Sequence, residues 1–134
     1  RRDKREGKAA STQAGEFVRE EIEHIREGKH GARSTKQAIA IGLSKARRAG
    51  VDLPPSKGSS EETKEQAERD LRKARTGGKK SAKRSRATRK ALKREGRSAA
   101  SKEALSTQAR KAARKRSAAS RSRSAKKAAA TRKK

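Results

Sequence analysis

The chain has 134 residues, with 42 Lys or Arg against 15 Asp or Glu, so its formal charge is +27. Only 12 large apolar side chains are present (five Leu, four Ile, two Val, one Phe), and alanine supplies the rest of the 28% apolar fraction. That is far below the roughly 20% Leu, Ile, Val and Phe under which highly charged chains are usually disordered, which excludes a large conventional core. The absence of cysteine excludes disulfides, thiolate zinc sites and cysteine nucleophiles. No apolar run approaches the roughly 18 residues that cross a bilayer, and the opening RRDKREGKAA lacks the apolar stretch of a signal peptide.

Breakers and charge divide the chain into three parts. Residues 1–54 hold 13 basic and 8 acidic residues, residues 55–78 hold 6 and 5, and residues 79–134 hold 23 and 2, so the net charges are +5, +1 and +21. The boundaries fall at Pro54-Pro55 with Ser56, Gly58, Ser59 and Ser60, and at Gly77-Gly78, clusters that punctuate helices. In the first part Ala14, Val18, Ile22 and Ile25 step by four, four and three with Phe17 beside them, which predicts a helix over about 12–27 closed by Gly28. Ser34-Thr35-Lys36-Gln37 fits a capping box with Gln37 reaching back, and predicts a helix over about 35–48. Its apolar face is Ala38 or Ile39, Gly42 or Leu43, and Ala46, with Gly50 closing it. The six residues from Gly28 to Arg33 are a connection short enough for antiparallel neighbours, hence a helical hairpin.

Ser59 with Glu62 predicts a third capped helix running to about Arg75, with only Ala67, Leu71 and Ala74 apolar. It reads as a solvated helix that docks on the hairpin or spaces it from the tail. In the third part, short helices are expected over about 85–94, with Leu92 inward, and about 102–116, with Ser101 as N-cap. Beyond Ser117 only Ser, Ala, Thr, Lys and Arg remain, a composition that predicts disorder. RSAAS occurs at 97–101 and again at 116–120, and STQA at 11–14 and 106–109, echoes that biased composition explains. The expected fold class is all-α: a small helical hairpin, short extra helices and a largely disordered basic tail.

A like-charge block of this density calls for a polyanion. Lys and Arg on a duplex release condensed counterions, which gives affinity without sequence reading and a steep salt dependence. The candidate phosphate contacts are Lys29, Arg33, Lys36, Lys45, Arg47 and Arg48 on the hairpin. The tail adds Lys79, Lys80, Lys83, Arg84, Arg86, Arg89, Lys90, Lys93 and Arg94 in its first segment. Further on come Arg110, Lys111, Arg114, Lys115 and Arg116, and then Arg121, Arg123, Lys126 and Lys127. There is no Tyr or Trp, and the one Phe lies on the core face, so stacking of unpaired bases has no platform. Asn is absent and Gln scarce, which leaves few residues for bidentate adenine readout and predicts weak specificity.

Other chemistry has little support in the residues. Glu20 and His24 share a helix face and His30 lies in the following turn, but a metal site wants three or four convergent ligands with second-shell support, and no metal or other cofactor is expected. No serine sits in a nucleophile elbow and no carboxylate in an evident apolar pocket, so no catalytic residue and no enzyme is expected. Gly28-Lys29-His30-Gly31 could form a small anion-binding nest ahead of the second helix, without the spacing of a Walker loop.

The stretch FVREEIEHIREGKHGARSTKQAIAIGLSKARRAG, residues 17–50, resembles a family of small, basic bacterial proteins of uncharacterised function. The hallmark of that family is a GKHG turn followed by a KQAIAIGLSKARRAG helix. The resemblance implies a bacterial source and a label of DNA binding, and carries no catalytic or binding residues with it. The Lys, Arg, Ala and Ser-rich end is similar in composition to the tails of linker histones and bacterial histone-like proteins. Charge and resemblance together predict a histone-like, nucleoid-associated DNA binder in the bacterial cytoplasm. The alternative is a ribosome-associated or other ribonucleoprotein component that binds rRNA. The expected partner is nucleic acid, duplex DNA ahead of structured rRNA, with no membrane.

Overall fold

In a computed structural model, which describes residues 5–132, the chain is all-helical, and no strand occurs among the described residues. Helix α1, Ala10–Arg26, forms on the predicted stripe, with Ala14, Ile22 and Ile25 buried and Phe17 and Val18 half-buried. It ends at Glu27, and Gly28 takes φ 77°, a left-handed conformation that disfavours any side chain. Helix α2, Thr35–Arg48, starts at an extended Ser34 whose Oγ accepts from the Gln37 amide at 3.1 Å. The reciprocal half of the expected capping box is displaced by one residue: Gln37 Oε1 accepts from the Arg33 amide at 2.7 Å.

α1 and α2 pack as the expected hairpin, and the contact is set by small residues. Ala38, Gly42 and Ala46 form the buried face of α2, while Ile39 and Leu43 stay half-buried. Ala14 and Ala46 meet Val51, with Ala10, Phe17, Leu43 and Leu53 packed around them. Full burial of Ile22 and Ile25 contributes about 1.5–3 kcal/mol each. Such a core is thin for its size, and further elements complete it.

Helix α3, Glu61–Thr76, is capped by Ser60, whose Oγ accepts from the Thr63 amide at 3.3 Å, one residue later than the predicted Ser59. Acidic Glu61 and Glu62 in its first turn and basic Lys73 and Arg75 in its last complement the helix dipole. α3 docks on α2 rather than acting as a spacer, through fully buried Ala67 and Asp70. Helix α4, Ala82–Lys93, is capped by Ser81 and buries no residue. After it the chain turns back: the Leu92 carbonyl accepts from the Gly31 amide at 2.8 Å and that of Gly96 from Ala32 at 3.1 Å. A 3₁₀ turn, η1, Ser98–Ala100, then lies against both α1 and α2 with Ala99 and Ala100 buried. Thr35 Oγ1 donates to the Ala99 carbonyl at 2.6 Å, and Arg26 Nε to that of Ala100 at 2.9 Å.

The first compact unit therefore extends to Ser101, well beyond the hairpin of residues 1–54. The second, Lys102–Lys134, holds α5, Lys102–Arg114, and α6, Ala118–Arg132, neither with a buried residue. The disorder expected beyond Ser117 is not what the structure shows, since α6 occupies that stretch. Its alanines are the best helix formers, and Ser117 Oγ caps the Ser120 amide at 3.1 Å. The tail's last two residues, 133 and 134, lie outside the described residues.

Candidate nucleic-acid interface

The structure sorts the candidate basic residues into two groups. On the hairpin, three are drawn into the fold. Arg47 is 8% exposed and donates from Nε to the Leu53 carbonyl at 2.8 Å, pinning the chain that leaves α2. That burial removes Arg47 from the predicted interface, because a guanidinium enclosed by its own chain has no path to phosphate. Lys45 donates to Glu21 Oε2 at 2.5 Å, and Arg48 to Asp70 Oδ1 at 2.8 Å. Lys29 pairs with Glu27 at 2.9 Å on the surface, and Arg33 and Lys36 are exposed beside it at the start of α2.

Sequence reasoning missed the two carboxylates that hold these helices. Glu21 is 1% exposed and is gripped by Lys45 and by His30 Nε2, each at 2.5 Å. Asp70 is fully buried and accepts from Ser44 at 2.6 Å, from Arg48 and, at 3.2 Å, from Gln66. Burial alone pushes the Asp70 carboxyl up, but the hydrogen bonds of Ser44, Arg48 and Gln66 and the Arg48 charge outweigh it and hold the group below the usual carboxylate range. Each acid occupies a position on the apolar stripe of its helix: Val18, Glu21, Ile25 on α1 and Ala67, Asp70, Ala74 on α3. A carboxylate on such a stripe has to be partnered, and that spacing was the available signal.

The GKHG turn does not offer an anion nest. The amides of Gly28 and Lys29 donate to Ile25 and His24, and those of Gly31 and Ala32 to Leu92 and Gly96. The turn instead brings His30 to α1, where Glu21, His24 and His30 each present one ligand atom within 4.8 Å of the others. It is Glu21 that completes this group, whereas the predicted Glu20 makes only a 3.7 Å contact with His24. The outer face of α1 carries Glu16, Glu20 and Glu23, which line a shallow depression with Phe17 and Arg19. These carboxylates make the face unfavourable for a polyanion.

The remaining candidates are all exposed. On α4, Lys83, Arg86, Arg89, Lys90 and Lys93 fall within about a 120° arc at 100° per residue, and Arg84, Arg94, Lys79 and Lys80 flank them. On the second unit, Arg110, Lys111 and Arg114 share one side of α5, Lys115 and Arg116 follow it, and Arg121, Arg123, Lys126 and Lys127 are spread along α6. Arg116 reaches Ser120 and Ser124 across the helix start. Residues 102–134 hold 13 basic residues against one acidic, a net +12.

Residues 2–57 match a family of unknown function (DUF6496). No curated protein and no solved structure matches the chain. Among the described residues, no helix is long and apolar enough to cross a membrane.

Proposed function

We propose that the chain binds nucleic acid without catalysis, through phosphate-backbone electrostatics, as a histone-like, nucleoid-associated DNA-binding protein. The observation that carries this reading is the exposure of every described Lys and Arg from 102 to 132, on and between two helices that hold no fully buried residue. Helices with no fully buried residue gain little stability from packing, and the mutual repulsion of their cations is relieved by a dense polyanion. Short alanine-rich helices also keep a slim profile. At 1.5 Å per residue, α6 extends about 22 Å, long enough to follow several phosphates of a duplex.

The test is binding of the full chain to a mixed-sequence duplex at increasing salt, together with identification of the nucleic acid that copurifies before a high-salt wash. A log–log salt slope of several units and copurifying DNA of mixed sequence are expected. Stoichiometric rRNA, or sedimentation with ribosomal particles, would move the function to a ribonucleoprotein. Affinity indifferent to salt would overturn phosphate binding altogether.

A further inference from the structure

We propose that Glu21, His24 and His30 form a binding site for a divalent first-row transition ion, with Zn²⁺ as its probe and water completing the coordination. One ligand atom from each residue lies within 4.8 Å of the others, with the carboxylate buried and both imidazoles partly so. The geometry of His30 is the more telling part. Its Nδ1 lies 2.8 Å from the Gly31 carbonyl, which can only accept, so Nδ1 carries a proton. That fixes the ring with Nε2 aimed at Glu21 Oε1, 2.5 Å away. An imidazole donating Nδ1–H to a backbone carbonyl while its other nitrogen faces a carboxylate has the orientation of a metal-bound histidine with its outer-shell partner.

Glu21 is prepared in the same way. Lys45 holds Oε2, which orients the carboxylate and leaves Oε1 toward the histidines. An ion with Zn–N and Zn–O bonds of about 2.0–2.2 Å places its ligand atoms roughly 3.3 Å apart, so His30 and Glu21 part by less than about an ångström to admit it. Without an ion, the short hydrogen bond between Nε2 and Oε1 spans that gap; a bound ion takes the place of its proton, which leaves to solvent. Two imidazoles, one carboxylate and water suit Zn²⁺ better than the harder Mg²⁺ or Ca²⁺. The chain has only two histidines and no cysteine, so its whole complement of imidazole converges here. Glu20 and Glu23 on the same helix lower the local potential that the chain's overall charge would otherwise raise. The bound ion would tie the end of α1 to the turn that in turn holds Leu92 and Gly96.

The test uses the full chain, freed of nucleic acid at high salt and treated with chelator. Zn²⁺ titration followed by calorimetry should give one site per chain, with a rise in the unfolding midpoint, and Co²⁺ should develop the visible absorption of a low-coordinate N/O site. His24→Gln touches only a partly exposed side chain and should keep the metal-free midpoint while weakening Zn²⁺ binding by more than about tenfold, the scale that even outer-shell losses reach. Glu20→Gln removes a nearby charge but no ligand, and should weaken Zn²⁺ binding far less than His24→Gln does. In the parent, both imidazoles should shift together in the nitrogen-correlated NMR spectrum at one equivalent, a readout independent of any variant. Zn²⁺ binding that is absent, spread over many weak sites, or unchanged in His24→Gln would overturn the site, as would imidazole signals that ignore the ion.

Discussion

A Cβ placed on Gly42 would lie 2.7 Å from the Cα of Val18, so α1 and α2 cross at a point where one backbone nearly meets the other. No flexible side-chain end is available there to give way, since the nearest atoms are the Val18 backbone and its Cγ2. Gly42→Ala should therefore destabilise the unit by about 1–3 kcal/mol, the scale of overpacking, despite alanine's better helix propensity. Chemical denaturation should show a lower midpoint with little change in slope. An unchanged or raised midpoint would contradict the crossing.

Gly31 has a different constraint. An added Cβ would sit 2.0 Å from the Glu95 carbonyl oxygen, while the Gly31 amide is bonded to Leu92. Gly31→Ala should push the turn after α4 away, and hydrogen exchange at the amides of residues 31 and 32 should quicken by orders of magnitude. The helix amides of α1 should be much less affected.

Asp70 makes the stability of the first unit sensitive to acid. Its carboxyl is held below the ordinary value, so its contribution is complete above the unfolded-state pKa of about 3.9 and is lost as pH falls through the lower folded-state value. Asp70→Asn should cost about 1–3 kcal/mol near neutral pH, because Arg48, Ser44 and Gln66 lose a charged acceptor. The gap between parent and variant should close below about pH 4. Unfolding midpoints measured across that range decide the matter, and a gap independent of pH would assign Asp70 no electrostatic role.

Removal of residues 102–134 should leave the first unit folded, since every buried residue among those described lies before residue 102. The salt slope for duplex binding should fall. If half of the 13 basic residues removed touch phosphate, the loss is about six units of log K per log salt. A truncated chain with the parent's slope would move the interface onto α4 and the start of α2.

The hairpin was legible because it obeys local rules. Ala14, Ile22 and Ile25 repeat at helical spacing, and Ser34 caps the following helix where its sequence says it should. What closes the hairpin was not legible, because it depends on distant residues with little hydrophobic signal. The pentapeptide RSAAS shows this directly. At 97–101 it forms a 3₁₀ turn with two buried alanines receiving bonds from Thr35 and Arg26. At 116–120 the same five residues carry the exposed cap of α6. Identical letters take two conformations, and only the long-range partners distinguish them. Of the candidate cations, those of the tail stand on the surface, whereas Arg47 is taken up by the fold, where its guanidinium donates to the Leu53 carbonyl.

The bonds from Thr35 to Ala99 and from Arg26 to Ala100 join positions 64 and 74 residues apart. The ribosome makes α1 and α2 long before it makes the turn that covers them. During synthesis the hairpin emerges with the Thr35 hydroxyl and the alanines of its shared face still wet, and it gains its lid only when the chain has grown to about residue 100. The stretch held in common with the family, residues 2–57, thus ends before α3 and η1, so that cutting the gene at that border would yield a piece lacking two of the walls around its own interior.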